Sequence, residues 1–213
     1  MTKKSMKKKE ETFNLILLGD PGAGKATQGK RLVKKYPFLR EFDLGKWIRA
    51  LKDPKLREMF WMDSIVRHGG LSPARAVIAK LREVIFSTPK DKGVFFNGNP
   101  KKVSEAKAVR RAFQEAGRSA PFVVYLDISE AEMIERLKNR REKIGGKVVV
   151  RGDDSARALK NRMRYYQKDI RNTVAYFKKV YWFKKISGVG SEAEVFRRLV
   201  HAIEDGRKVG RKQ

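Results

Sequence analysis

Cysteine is absent from the 213 residues, which excludes disulfides and every thiolate metal site, a zinc-bound loop included. A reducing interior fits this composition. Histidine occurs only at His68 and His201; neither falls in a motif, and both read as structural or surface residues. Long hydrophobic runs are also missing. Behind the basic opening MTKKSMKKKEE, the run Phe13–Leu18 is too short for a signal-peptide core with its cleavage site and far too short to span a bilayer. A cytoplasmic protein without membrane attachment is therefore expected. Negative charge is scarce: 24 Asp plus Glu face 51 Lys plus Arg, a net of +27. Such a field attracts polyanions whatever the fold. It is equally the mark of a solvated basic surface, because the cations lie across the helices (Lys34, Lys35, Lys178, Lys179) as well as in the tails Lys3–Lys9 and Arg207–Lys212. No internal repeat is evident.

What is present is alternation. Phe13–Leu18 reads as a buried strand, Gly24 to about Lys35 as a helix, and Arg40–Leu44 as a short strand before a helix from about Lys46. Leu56–Val66 has helical spacing; the turn HGGLSP and a helix at Ala74–Ile85 follow. Gly93–Phe96 reads as a strand, Ser104–Glu115 as a helix and Phe122–Ile128 as a buried strand. Helices are expected at Glu130–Arg141 and Ser155–Lys178, then a strand near Trp182–Ile186 and a closing helix at Glu192–Ile203. Short apolar runs between amphipathic helices predict an α/β fold with a parallel sheet covered on both faces.

The first strand runs into Gly19-x-x-x-x-Gly24-Lys25, and a helix follows. In that setting the pattern is a phosphate cradle. Backbone N–H groups curl round the anion, the helix N-terminus adds its positive end, and Lys25 reaches the β and γ oxygens. The general motif has Ser or Thr after the lysine; here Ala26 stands there and Thr27 follows.

That displaced threonine makes GDPGAGKATQGKRL resemble the adenylate kinase signature, and the resemblance continues to about Ile203. DLGKWIRA is similar to the segment that grips the monophosphate, which implies that role for Arg49. GGLSP resembles the turn closing the monophosphate-binding insertion, and GVFFNGNPKKVSEA stands where the family has Asp-Gly-Phe-Pro-Arg and, further on, a glutamine. EMIERLKNRR and RGDDSARALKNRMRYY are similar to the helices on either side of the lid, and SGVGSEAEVF to the loop against the donor adenine. The lid is short, Glu142–Val150, with Gly145-Gly146 as a turn that either moves or merely connects.

The resemblance implies a P-loop three-layer fold with a five-stranded parallel sheet, and a nucleoside monophosphate kinase using ATP and Mg2+, without zinc. It implies a monomer. The domain would span 12–206, with an insertion at about 43–73 and a lid at about 141–151, between basic tails at 1–11 and 207–213. Lys25, Arg140, Arg151 and Arg162 become the catalytic cations. Gly22, Ala23, Gly24, Lys25, Ala26, Thr27, Arg136 and Gly190 would hold ATP, and Asp43, Arg49, Gly98, Lys101 and Glu105 the monophosphate. Thr27 and, through water, Asn97 would meet the metal. Arg136 and Arg140, four apart on one helix, share a face.

Several positions depart from the family. Asn97 replaces an aspartate, so magnesium placement should suffer and Asn97→Asp should improve it. Lys101 replaces an arginine, keeping charge but losing the planar fork. Asn99 replaces an aromatic and Asp43 a small hydroxyl residue. Glu105 stands at the glutamine that reads the acceptor base; it either suits guanine better than adenine or points to solvent. AMP remains the default acceptor. Two other readings share the fold: a nucleotide-binding protein with weakened turnover, and an RNA-associated member in which the basic surface binds nucleic acid.

Overall fold

Leu15, Ile16, Leu17 and Leu18 are all buried, which a strand achieves only when both of its faces are covered. The computed structural model of the chain describes residues 11–138, 141–144, 147–150 and 156–210. The first elements are β1 (Leu15–Gly19), α1 (Lys25–Lys35), β2 (Leu39–Phe42), α2 (Leu44–Arg49), α3 (Pro54–Met59), α4 (Ala74–Ser87), β3 (Gly93–Asn97) and α5 (Val103–Glu115). Then come β4 (Phe122–Asp127), α6 (Glu130–Lys138), the short strands β5 (Arg141–Ile144) and β6 (Lys147–Val150), α7 (Ala156–Tyr165), α8 (Arg171–Val180), β7 (Phe183–Ser187) and α9 (Glu192–Gly210).

Five strands form one parallel sheet in the order β2-β3-β1-β4-β7, as expected. Alternation along β1 divides the core. Ile16 and Leu18 pack with Leu81, Phe96, Phe113 and Phe177 on one face. Leu15 and Leu17 pack with Leu32, Phe95, Leu126 and Leu199 on the other. Each such side chain contributes about 1.5–3 kcal/mol on burial. All five strands end at one edge, and the chain crosses from β1 to β2 on one side while β4 lies on the other. Parallel sheets bind ligands at that kind of switch point.

Four local expectations change. The helix expected over Leu56–Val66 is only Pro54–Met59, capped by the Asp53 carboxylate on the N–H groups of Lys55 and Leu56. Trp61 has φ 53°, which no helix continues through, and the chain turns so that Phe60 and Met62 enter the core. The helix expected to reach Arg141 is described as far as Lys138, Arg141 itself belongs to β5, and β5 pairs antiparallel with β6 in a register that joins Ile144 to Lys147. The segment expected as a short lid, whose turn either moves or merely connects, thus carries two paired strands. The long helix after it is interrupted by a π-helical turn, Tyr166–Ile170, between α7 and α8. Finally, α9 runs to Gly210, taking in part of the segment expected as a tail: Arg207 pairs with Glu204 and covers the Phe13 ring at 5.5 Å. Among the described residues no helix is long and apolar enough to cross a membrane.

Candidate active site

The loop between β1 and α1 is built mostly from backbone. Gly22 and Gly24 have φ 81° and 87°, left-handed values that suit glycine, and the Ala23 N–H closes a turn on the Asp20 carbonyl at 3.0 Å. Asp20 is nearly buried. One oxygen accepts from the Tyr125 hydroxyl at 3.0 Å and the other from the Ile128 N–H at 2.9 Å, so this carboxylate anchors the loop to β4. Lys25 Nζ donates to the carbonyls of Gly19 (2.7 Å) and Asp20 (2.8 Å), arching its stem over the loop. No side chain caps the first turn of α1 and no acidic residue lies in it, which leaves its N–H groups suited to an outside anion. Ala26 is exposed, and Thr27 lies beside it in the same turn, half-buried.

Arg136 ties this loop to the end of the sheet. Its guanidinium pairs with Glu132 (2.6 Å) and donates to the carbonyls of Gly22 (3.3 Å) and Gly188 (3.1 Å). Arg198 holds the next residues, donating to Ser187 (2.8 Å) and Val189 (2.7 Å). Gly190 follows with φ 111°, and Glu194 caps α9 through Ser191. Those two Ser191 bonds hold the Glu194 carboxyl below its ordinary value. Gly22 and Gly190 therefore lie on loops that Arg136 joins, the second of them also held by Arg198.

On the other side of β1 the chain offers a different surface. Asp43 caps α2 on the Lys46 N–H at 2.9 Å, and Arg49 ends that helix. Gly45 lies between them: a Cβ there would stand 3.2 Å from Asp43 Oδ1 and 3.1 Å from Arg49 Nη1. Gly98, with φ 86°, follows β3 and lies close to the Lys25 stem; its N–H bonds to the Leu17 carbonyl. Lys101 Nζ sits 5.6 Å from the centre of the Tyr165 ring, and its carbonyl is 2.9 Å from the Thr173 hydroxyl on α8. Asn99 is buried.

Glu105 does not point to solvent, as one expectation had it. It is 2 % exposed, and its Oε2 accepts from the N–H groups of Lys101 (2.8 Å) and Lys102 (3.2 Å), capping α5. Burial raises its carboxyl above the ordinary range, opposed by those two backbone bonds. Asn97 donates its amide to the Lys25 carbonyl (3.2 Å) and to Glu41 on β2 (2.6 Å). Glu41 falls in no motif, and the neighbouring Arg40 and Phe42 give no signal for it in the sequence. Arg140 and Arg151 lie outside the described residues, and Arg162 falls within α7, of which the backbone alone is described there. Both histidines have exposed side chains: His68 contacts the Ser64 carbonyl, and His201 pairs with Asp205.

Comparison with known proteins gives one consistent answer. The family model for adenylate kinase matches residues 17–181. An adenylate kinase of Syntrophobacter fumaroxidans is 30 % identical, covering 88 % of this chain and 98 % of that protein. Those of Phocaeicola vulgatus and Thermodesulfovibrio yellowstonii are each 28 % identical over 90 % of this chain, and cover 98 % and 99 % of their own lengths.

Proposed function

The chain belongs to the adenylate kinase family, and we propose on that premise that its cleft moves the γ-phosphoryl group of ATP directly onto AMP, giving two molecules of ADP. The observation that carries this reading is the loop: left-handed Gly22 and Gly24, an uncapped α1, and Lys25 arched above them beside Gly98 at the end of the neighbouring strand. Phosphoryl transfer needs little beyond alignment and neutralisation of charge, and no protein nucleophile is required.

Each group then has a task. The loop N–H groups and Lys25 hold the β and γ phosphates. Arg136, held against Gly22 and Gly188, forms with the Gly190 loop one wall of the adenine pocket. Arg49 grips the acceptor phosphate from the end of α2, and Lys101 adds charge from the loop after β3. Arg140, Arg151 and Arg162 flank the β5–β6 hairpin in sequence, and closure of that hairpin brings their charge to the transferring group and excludes water.

The residues also fit magnesium carried in with ATP. Both Asp20 oxygens are committed and position 97 carries an amide, and no group of three or more acidic or histidine side chains is placed for a metal among the described residues. That suits an ion held largely by phosphate oxygens and waters, with the Thr27 hydroxyl and, through water, Asn97 completing its surroundings. When bound it neutralises charge on the transferring group.

Base choice rests on Glu105. With Oε2 taken by the backbone, Oε1 remains for a ligand. Protonated, Oε1 can donate to adenine N1; ionised, it can only accept, which suits the N1–H of guanine. Burial shifts Glu105 toward the protonated form, which is the direction that suits AMP. The deciding experiment is a coupled assay for diphosphate formation with AMP, GMP, CMP and UMP in the presence of magnesium. Turnover greatest with AMP is expected, and absence of turnover with all four would remove the kinase reading.

A further inference from the structure

Asn97 is 3 % exposed, and both groups around its amide nitrogen, the Lys25 carbonyl at 3.2 Å and Glu41 Oε1 at 2.6 Å, are acceptors. Only the NH2 end satisfies two acceptors, so the orientation of the amide is determined: Nδ2 faces Glu41 and Oδ1 is turned away from it. Glu41 reaches across from the edge strand β2, where its register partner is Phe95 rather than Asn97. The third wall is Gly29 of α1. A Cβ there would stand 2.3 Å from Asn97 Nδ2 and 2.4 Å from Glu41 Oε1. A glycine inside a helix is destabilising relative to alanine, and here it leaves the room the pair occupies.

We propose that Glu41 is a positioning residue for phosphoryl transfer: it fixes the Asn97 amide against α1, turns Oδ1 to its opposite side, and supplies from the neighbouring strand the negative charge that residue 97 lacks. A carboxylate accepting from the amide also polarises it, making Oδ1 a stronger acceptor for water or a donor group. The functional half of this inference rests on the phosphotransfer reading; the pairing does not. One consequence reverses the sequence-based expectation for position 97. Asn97→Asp alone sets a second carboxylate oxygen where Nδ2 now meets Glu41, and like charges at that distance repel.

The test is a melting cycle without nucleotide or magnesium, joined to kinetics and calorimetry. Asn97→Asp should lower Tm by about 4 °C, and Glu41→Gln by about 2 °C or less because its side-chain carbonyl still accepts. The double variant, with donor and acceptor exchanged, should melt above Asn97→Asp alone while staying below wild type, because the Lys25 carbonyl still lacks its donor. Additive shifts, with the double variant the least stable, overturn the pairing. Glu41→Ala should lower kcat about tenfold, with KM for AMP little changed. It should also reduce by about tenfold the gain in ATP affinity that magnesium brings in calorimetry. Glu41→Gln should keep most of both. A Glu41→Ala protein with wild-type kcat and wild-type magnesium response overturns the positioning role even if its Tm falls. A wild type without turnover would overturn the phosphotransfer reading and the positioning role with it, and the melting cycle would still judge the pair.

Discussion

In the site proposed above, the two sides of β1 would hold phosphate groups by different means. On the donor side the contacts come from one uninterrupted stretch, Gly19 to Thr27, and consist mainly of backbone N–H groups shaped by left-handed glycines. On the acceptor side they are side chains from separate elements: Asp43 and Arg49 on and before α2, Lys101 and Glu105 around the start of α5, and Asn97 with its partner Glu41 on two strands. A backbone cradle tolerates little change, because a Cβ at a left-handed position is strained whatever its chemistry. A side-chain site can lose a charge in one place and recover it in another. The departures from the family pattern gather on this second side.

The sharpest way to break the comparison is Lys25→Ala. Its ammonium supplies charge where phosphate charge is greatest, so kcat should fall about 1000-fold, comparable to removing a preorganised electrostatic donor. Circular dichroism should still report a folded chain. Unchanged turnover would mean the donor side is not the site. Next is Arg49→Ala, which should raise KM for AMP about 30-fold, the worth of one charge-assisted hydrogen bond, and leave KM for ATP nearly unchanged. A parallel rise in both constants would erase the division between the two sides.

Glu105→Gln sharpens the comparison through pH. Because burial raises the folded carboxyl above its unfolded value, the folded state binds the proton more tightly. The stability this contributes is present below the unfolded value and is lost as pH rises through the folded one. The substitution should flatten that decline in a series of denaturant melts. It should also remove a pH-dependent rise in the kcat/KM ratio of GMP to AMP, shifting that ratio towards AMP by about tenfold at high pH. An unchanged ratio would leave Glu105 as a helix cap alone. The smallest effect belongs to Lys101→Arg, which restores a planar fork and should lower KM for the monophosphate about threefold. The Tyr165 ring beside Lys101 offers the guanidinium a face to stack on.

Legibility followed the same division. The loop and the five parallel strands were readable because glycine spacing and unbroken apolar runs are local signals. The helix expected over Leu56–Val66 was misjudged because apolar spacing placed Phe60 and Met62 inside but could not show that the chain turns at Trp61 to bring them there. The hairpin had a signal that went unused: the β-branched run Val148–Val150 behind Gly145-Gly146. For Glu105 the motif position was plain, but its burial and its bonds to Lys101 and Lys102 were not.

From sequence alone came the alternation of strands and helices, the anion cradle and the surplus of positive charge, because each depends on residue type and on neighbours a few positions away. Only the tertiary structure decided what the Asn97 amide bonds and which way it is turned. Its partner stands 56 residues earlier on another strand, and Gly29 on a helix makes the room between them. A hydrogen bond at 2.6 Å depends on the packing of three elements against one another, and that packing is set by the whole core rather than by any local pattern.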